Sequence, residues 1–160
     1  MVGYDTIMNS KIKLTKRVLH KEATPVVFDK PFQLQKLAVR MIEFMSQSNG
    51  IGLAAPQIGV SKRLFVMASD DFKDRFKYFF NPSVLESSKE TNIDIEGCLS
   101  FPGKFLEIER PNWIKIEYHD YLGNKFADEE LSGYTARCYL HELDHLDGIT
   151  FNERVNVYDA

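Results

Sequence analysis

The chain has 160 residues, 44% hydrophobic and 27% charged, with a net charge of −3 and an isoelectric point near 5.8. Such ordinary globular usage predicts a single domain over 1–160 with an adequate core, and the lack of a basic excess argues against nucleic-acid binding. The first twenty residues carry no apolar signal core, no apolar run is long enough to span a bilayer, and the two cysteines, Cys98 and Cys138, are too few for a disulfide framework, so a reducing cytosolic or organellar setting is expected.

Residues 1–30 are mixed and polar, punctuated by Pro25 and Pro31. Asp29-Lys30-Pro31 reads as a helix start. Leu34, Leu37, Met41, Phe44 and Met45 recur at helical spacing, which predicts a helix over 32–48 with that stripe turned inward and Asn49-Gly50 as its end. Residues 50–60 hold three glycines and a proline yet are apolar, the pattern of an irregular segment that packs against something. Leu64, Val66 and Met67 suggest a strand, as do Tyr78-Phe79-Phe80. Asn81-Pro82 marks a turn before Val84-Leu85, and the polar residues 86–95 read as a loop.

Strand patterns return at 105–108 and, with clear alternation, at 113–118. Gly123 lies in a hairpin turn at 120–124 leading into a strand over 125–129. Ser132 is placed to cap a second helix with Tyr139, Leu140, Leu143 and Leu146 among its apolar positions and Gly148 as its stop. Residues 149–157 read as a final strand. The order of elements is that of an α+β fold: small antiparallel or mixed sheets around a central helix, with another helix near the N-terminus.

The second helix carries H-E-L-D-H at residues 141–145. Residues i and i+4 share a helix face, so His141 and His145 can hold one metal ion. Glu142 lies about 100° round the helix, near enough to reach a water beside that ion without ligating it. This is the H-E-x-x-H arrangement of metal-dependent hydrolases, in which the metal acidifies a water and the glutamate takes its proton. A surface helix can match the pattern by chance, and the third ligand is left unnamed. Cys138 shares the face but is too far: at ~1.5 Å rise per residue it lies about 7.5 Å down the axis from a metal centred between the histidines. A cysteine reaches roughly 4 Å, given a ~2.3 Å metal–sulfur bond. Cys138 is thus expected to be a small buried hydrophobe, and His20 and His119 to be isolated. Cys98 remains, in E-G-C-L-S at residues 96–100; a lone cysteine in such a turn more often packs than ligates.

Three segments can now be set side by side: G-I-G-L-A-A-P-Q at 50–57, E-G-C-L-S at 96–100 and H-E-L-D-H at 141–145. In these motifs and their order the chain resembles the peptide deformylases, whose signatures are G-φ-G-φ-A-A-x-Q, E-G-C-φ-S and H-E-φ-D-H, with φ apolar. Weaker resemblance runs through 58–63, Asn81-Pro82, Glu109-Arg110-Pro111 and Leu146-Asp147-Gly148, and covers most of 15–155.

The resemblance implies a metal-dependent hydrolase that removes the N-formyl group from newly made polypeptides beginning with formyl-methionine, releasing formate. It implies that Cys98, His141 and His145 bind one divalent ion, usually Fe²⁺ in this family, with Zn²⁺, Ni²⁺ or Co²⁺ as alternatives. Glu142 would be the general base and then the acid. Gln57 and the backbone N–H of Leu99 would hold the oxyanion, and Gly50, Ile51 and Gly52 would line the peptide groove. Glu96 and Arg110 also match family positions and are expected to pair and brace the Cys98 turn.

The chain departs from the family at Leu140, where glutamine is usual, and at Tyr134, where leucine is usual. Tyr134 and Arg137, within two turns before His141, are expected on a substrate-facing side. Many members carry a longer tail than the one ending at Ala160, in some a helix used at the ribosome; ribosome docking is therefore not expected, and a monomer is. Two other readings share the helix: a metallopeptidase with Cys98 as an unusual ligand, and a non-catalytic module with a closed, four-ligand metal site.

Overall fold

The computed structural model describes residues 11–155. Helix α1 (Pro31–Gln47) is followed by β1 (Gly52–Ala54), β2 (Leu64–Ala68), β3 (Phe76–Ser87), β4 (Thr91–Cys98), β5 (Phe101–Pro111), β6 (Trp113–His119) and β7 (Lys125–Ser132), and then by helix α2 (Gly133–Leu146). Five strands form one antiparallel sheet in the order β1-β2-β3-β6-β7, while β4 and β5 form a separate hairpin. The α+β expectation holds, and α2 is the central helix: it touches β1, β2, β5, β6 and β7.

Strand β2 explains how two helices share one sheet. Its side chains alternate across the sheet, and all of Leu64, Phe65, Val66 and Met67 are buried. Leu64 and Val66 join Leu34, Leu37, Met41 and Met45 of α1 in one apolar cluster. Phe65 and Met67 join Ala136, Tyr139 and Leu146 of α2, with Phe79, Ile114 and Ile116, in a second. The predicted α1 stripe is therefore real core, and Pro31 sits in its first turn. Asn49 ends the helix by taking φ 57°, and the Gly50 N–H reaches back to the Met45 carbonyl at 2.9 Å.

Three local expectations are corrected. Residues 86–95 are not one loop: β3 runs to Ser87 and β4 starts at Thr91. Their polarity reflects a hairpin with an exposed outer face, where hydrogen bonding to β5 rather than burial makes the strand. Asn81-Pro82 is not a turn but an irregularity inside β3, with the register shifting against β6 between Phe80 and Ser83 and Asn81 at φ 46°. The final strand expected over 149–157 is a 3-10 helix, Phe151–Arg154, after which Val155 makes a single bridge to Ile108; residues 156 and 157 lie outside the described residues. Ser132 does occupy the cap position of α2, but its side chain makes no capping bond. No described helix is long and apolar enough to cross a membrane.

Candidate metal centre and catalytic site

The site forms where the hairpin meets α2. His141 and His145, one turn apart, present rings with centroids 5.0 Å apart. Cys98 ends β4, where the register shifts between Gly97 and Cys98. Its Sγ lies 3.4 Å from His145 Nε2, and one ligand atom from each of the three residues falls within 4.8 Å of the others. Bonds of ~2.3 Å to sulfur and ~2.0–2.1 Å to nitrogen at a tetrahedral angle would place two such donors about 3.6 Å apart. The donor set thus fits a single divalent ion in both chemistry and spacing. Cys138 stays out of this cluster, buried with its Sγ 3.6 Å from the Ile51 carbonyl, and burial pushes its thiol pKa up. His20 is exposed, and half-buried His119 packs against Phe28, so neither belongs to the site.

Glu96 orients the first histidine. His141 Nδ1 lies 2.8 Å from Glu96 Oε1, which turns Nε2 of the same ring toward the cluster. The expected pair with Arg110 is present and bidentate, at 2.9 Å for both contacts, with both side chains buried. Burial alone would raise the Glu96 pKa, but hydrogen bonds from Arg110 and His141 hold it down at about 2. Arg110 also reaches Asp144 at 2.7 Å, and Asp144 in turn binds Arg154. Without an ion, burial and the neighbouring His141 and Arg110 charges depress the His145 pKa to about 3. Against its burial, hydrogen bonds to Cys98 and Glu96 raise that of His141 to about 10, so the His141 proton must be displaced when an ion arrives.

Glu142 lies beside the cluster, outside the donor set. It is 3% exposed, its Oε2 has no hydrogen-bond partner among the described residues, and burial raises its pKa to about 7. Gly52 makes its position possible: a Cβ there would lie 2.5 Å from Glu142 Oε1. Gln57, 1% exposed, is held with its amide in one sense. Its Oε1 accepts the Ala54 N–H at 2.8 Å, so its Nε2 faces the site, 3.0 Å from Ser100 Oγ and 3.6 Å from Cys98 Sγ. This anchoring follows from the fold of the Gly-rich segment, which forms the short edge strand β1 and a 3-10 helix, Ala55–Ile58. Gly50, Ile51, Gly52, Leu99, Tyr134 and Arg137 line a cleft of about 400 Å³ that reaches Gln57, Cys98 and Glu142.

Of the site residues read from the sequence, Gly50, Ile51, Gly52, Gln57, Cys98, Leu99, His141 and Glu142 line this one cleft, and His145, which does not line it, joins them through the donor cluster. The reading missed Asp144, Ser100 and the part that Gly52 plays for Glu142. Asp144 was visible as a charge inside the H-E-L-D-H motif, but nothing local pointed to its arginine partners. Tyr134 faces the cleft as expected and is half exposed. Arg137 lines the cleft, but its guanidinium is spent on the hairpin rather than offered to solvent. Leu140 is half-buried against the α2-side cluster, so its departure from glutamine is taken up by packing.

A carboxylate kept beside a set of metal donors, yet outside it, serves hydrolysis and has no use in a closed structural site. Fold and site together define a metal-dependent hydrolase with a cleft sized for a short peptide segment. The polypeptide deformylase family model matches residues 9–159. A peptide deformylase of Thermotoga neapolitana is 48% identical over 139 residues, covering 86% of this chain and 81% of its own. The crystal structure of peptide deformylase from Thermotoga maritima superposes with a TM-score of 0.83 at 44% identity, covering 91% of this chain and 97% of that one. A Plasmodium falciparum peptide deformylase structure gives 0.84 at 36% identity, covering 92% and 88%. The chain belongs to the polypeptide deformylase family. Its reaction is that family's: metal-dependent hydrolysis of the N-formyl group from the formyl-methionine of newly made polypeptides, with release of formate.

Proposed function

We propose that Cys98, His141 and His145 hold the ion, that Glu142 moves the protons, and that Gln57 with the backbone N–H of Leu99 binds the developing oxyanion. Fe²⁺ is the proposed ion; Zn²⁺, Ni²⁺ and Co²⁺ suit the same two nitrogens and one sulfur. When bound, the ion supplies a Lewis acid that polarises the formyl carbonyl and lowers the pKa of water. The remaining work belongs to the chain. Glu142 accepts a proton from the water that attacks the formyl carbon and returns it to the departing nitrogen, which leaves poorly as an anion. Its pKa near 7, set by burial, suits a group that must take and give a proton near neutral pH.

Gln57 has its oxygen tied to Ala54, so the sense of its amide is fixed; its Nε2 donates to Ser100 Oγ and Cys98 Sγ, and the longer contact to sulfur is the one that gives way to the growing negative charge. Gly50, Ile51 and Gly52, running into a strand at the edge of the sheet, pair with the substrate backbone as a further strand would. A formyl carbonyl bears only hydrogen, so the buried site admits it, whereas an acetyl group brings an extra methyl. The same reading takes residues 1–160 as one domain, acting as a monomer on nascent chains in the cytosol or an organelle.

The observation that carries this reading is Glu142: buried, with one oxygen unpaired among the described residues, beside three convergent donors. The test is formate release from a formyl-Met-Ala-Ser peptide by protein purified without oxygen, with the unformylated peptide as control. Formate from the first and no cleavage of the second is the expected result. Cleavage of the unformylated peptide would favour a peptidase, and metal-replete protein that releases no formate would overturn the assignment of roles.

A further inference from the structure

The donor set is divided between two elements that share no strand pairing. Cys98 belongs to the β4–β5 hairpin, and both histidines belong to α2. The distance between thiolate and imidazoles therefore depends on how the hairpin is held against the helix.

Arg137 lies one turn before His141 on α2 and is 3% exposed. Its Nη1 donates to Glu96 Oε2 at 2.9 Å and to the Ile108 carbonyl at 2.7 Å. Its Nη2 donates to the Asn92 carbonyl at 3.0 Å and to Asn92 Oδ1 at 2.7 Å. One guanidinium thus grips both strands of the hairpin. It also completes Glu96, whose Oε1 meets His141 Nδ1 and Arg110 Nη2 and whose Oε2 meets Arg110 Nε and Arg137 Nη1. A carboxylate has about four lone-pair sites, so Glu96 is saturated and its orientation is over-determined. A planar fork with several fixed donors can make these contacts at once; an ammonium cannot.

We propose that Arg137 is a positioning residue that clamps the hairpin to α2 and so sets the separation of Cys98 from the two histidines. It acts through Glu96 on His141, through Asn92 on β4, the strand that ends in Cys98, and through Ile108 on β5, the partner strand of the hairpin. Because the same side chain lines the cleft, the wall of the substrate site and the spacing of the metal donors are set by one residue.

This inference rests on the proposed ligand assignment, and the experiment separates the two. Wild type, Arg137→Met, Arg137→Lys and Lys77→Met are loaded with cobalt(II), and the thiolate-to-cobalt absorption band and the rate of cobalt loss to a chelator are recorded. Lys77→Met is the control, since it removes a part-buried ion pair to Glu129 within the five-stranded sheet. Residues that orient metal ligands typically change metal affinity by ~10–100-fold when replaced, so Arg137→Met should lose cobalt ~10-fold faster or more, with a shifted band. Arg137→Lys should restore part of the loss, and Lys77→Met should hold cobalt as wild type does even where its melting temperature falls as far. Equal retention by Arg137→Met and Lys77→Met would overturn the clamp. If Arg137→Met does not fold, Arg137→Lys decides: faster loss with a shifted band supports the clamp, and wild-type behaviour overturns it. A wild-type chain that shows no thiolate band would instead overturn the ligand assignment and the clamp with it.

Discussion

On one side of α2, Ala136, Tyr139 and Leu146 pack against Phe65, Phe79, Ile114 and Ile116 of the sheet. On the other, Arg137, His141 and Asp144 meet Glu96 and Arg110 of the hairpin. The apolar side draws stability from area removed from water, at roughly 25 cal/mol per Å², and tolerates swaps that conserve volume. The charged side is different in kind. A buried ion pair roughly breaks even against apolar packing, but deleting one partner costs about 3–5 kcal/mol, because the other charge is stranded. The sheet side therefore holds the protein together, and the hairpin side holds atoms in place.

That contrast is tested most severely at the site. Cys98→Ala should abolish both metal binding and activity, while Cys138→Ala keeps both; metal analysis with formate assays on the same samples decides it. Stoichiometric metal in Cys98→Ala would sink the assignment. Glu142→Gln should retain close to one metal per chain and lose kcat by on the order of 10⁴-fold, the upper end for removal of a general acid–base, since one group serves both proton transfers. A variant that lost its metal would make Glu142 structural instead.

Gly52→Ala should lower kcat by up to about 10²-fold, because the new methyl displaces the Glu142 carboxylate, and small displacements of catalytic groups carry costs of that size. Its melting temperature should fall only modestly, since the atoms met all belong to the one side chain, Glu142 Oε1 at 2.5 Å and its Cδ and Cγ at 2.9 Å, and none to backbone. Unchanged kcat would mean that the carboxylate has room to spare. Phe79→Ala should do the reverse. The ring is fully buried, edge-on to Tyr139 and Tyr118, and its loss should cost about 3–5 kcal/mol in denaturant unfolding with kcat per folded molecule unchanged.

The smallest expected effects are in pH dependence, where two glutamates of the site should act in opposite directions. The Glu96 pKa is held at about 2, below its ordinary 4.5. Its stabilising contribution is full above 4.5 and drains as pH falls toward 2. The Glu142 pKa is raised to about 7, so the folded chain binds the extra proton between 4.5 and 7 and loses stability as pH rises through that window. Because the depressed His145 pKa makes the fold gain stability as pH rises from about 3 to 6.5, the test is a difference: melting of chelated wild type relative to Glu142→Gln should lose stability as pH rises from 4.5 to about 7, and a difference that stays flat would assign the proton elsewhere. In the loaded enzyme, kcat/KM should rise with pH along a limb at or below about 7, since a cation nearby favours the carboxylate.

Much of this was legible in the chain because it is local. The α1 stripe at 34, 37, 41 and 45 and the His141–His145 spacing both follow from 3.6 residues per turn. The same helix rise excluded Cys138 from the ligand set before any contact was known. The three short motifs named the cleft residues by resemblance. The sequence also assigned residues 86–95 to a loop and 149–157 to a strand, because polarity and apolar runs report burial, and an exposed hairpin is made by pairing instead.

What the tertiary structure alone decided is non-local. The Glu96–Arg110 pair was expected by resemblance, but Glu96 also meets Arg137 and His141 across 41 and 45 residues of chain, and no periodicity encodes such partners. The sense of the Gln57 amide depended on where the Ala54 N–H points, and the room for Glu142 depended on β1 passing close enough to need a glycine at 52. Helix and motif are set by neighbours along the chain. The orientation of a charge in a dry interior is set by whichever donors the fold brings within 3 Å, and that is known only once the fold exists.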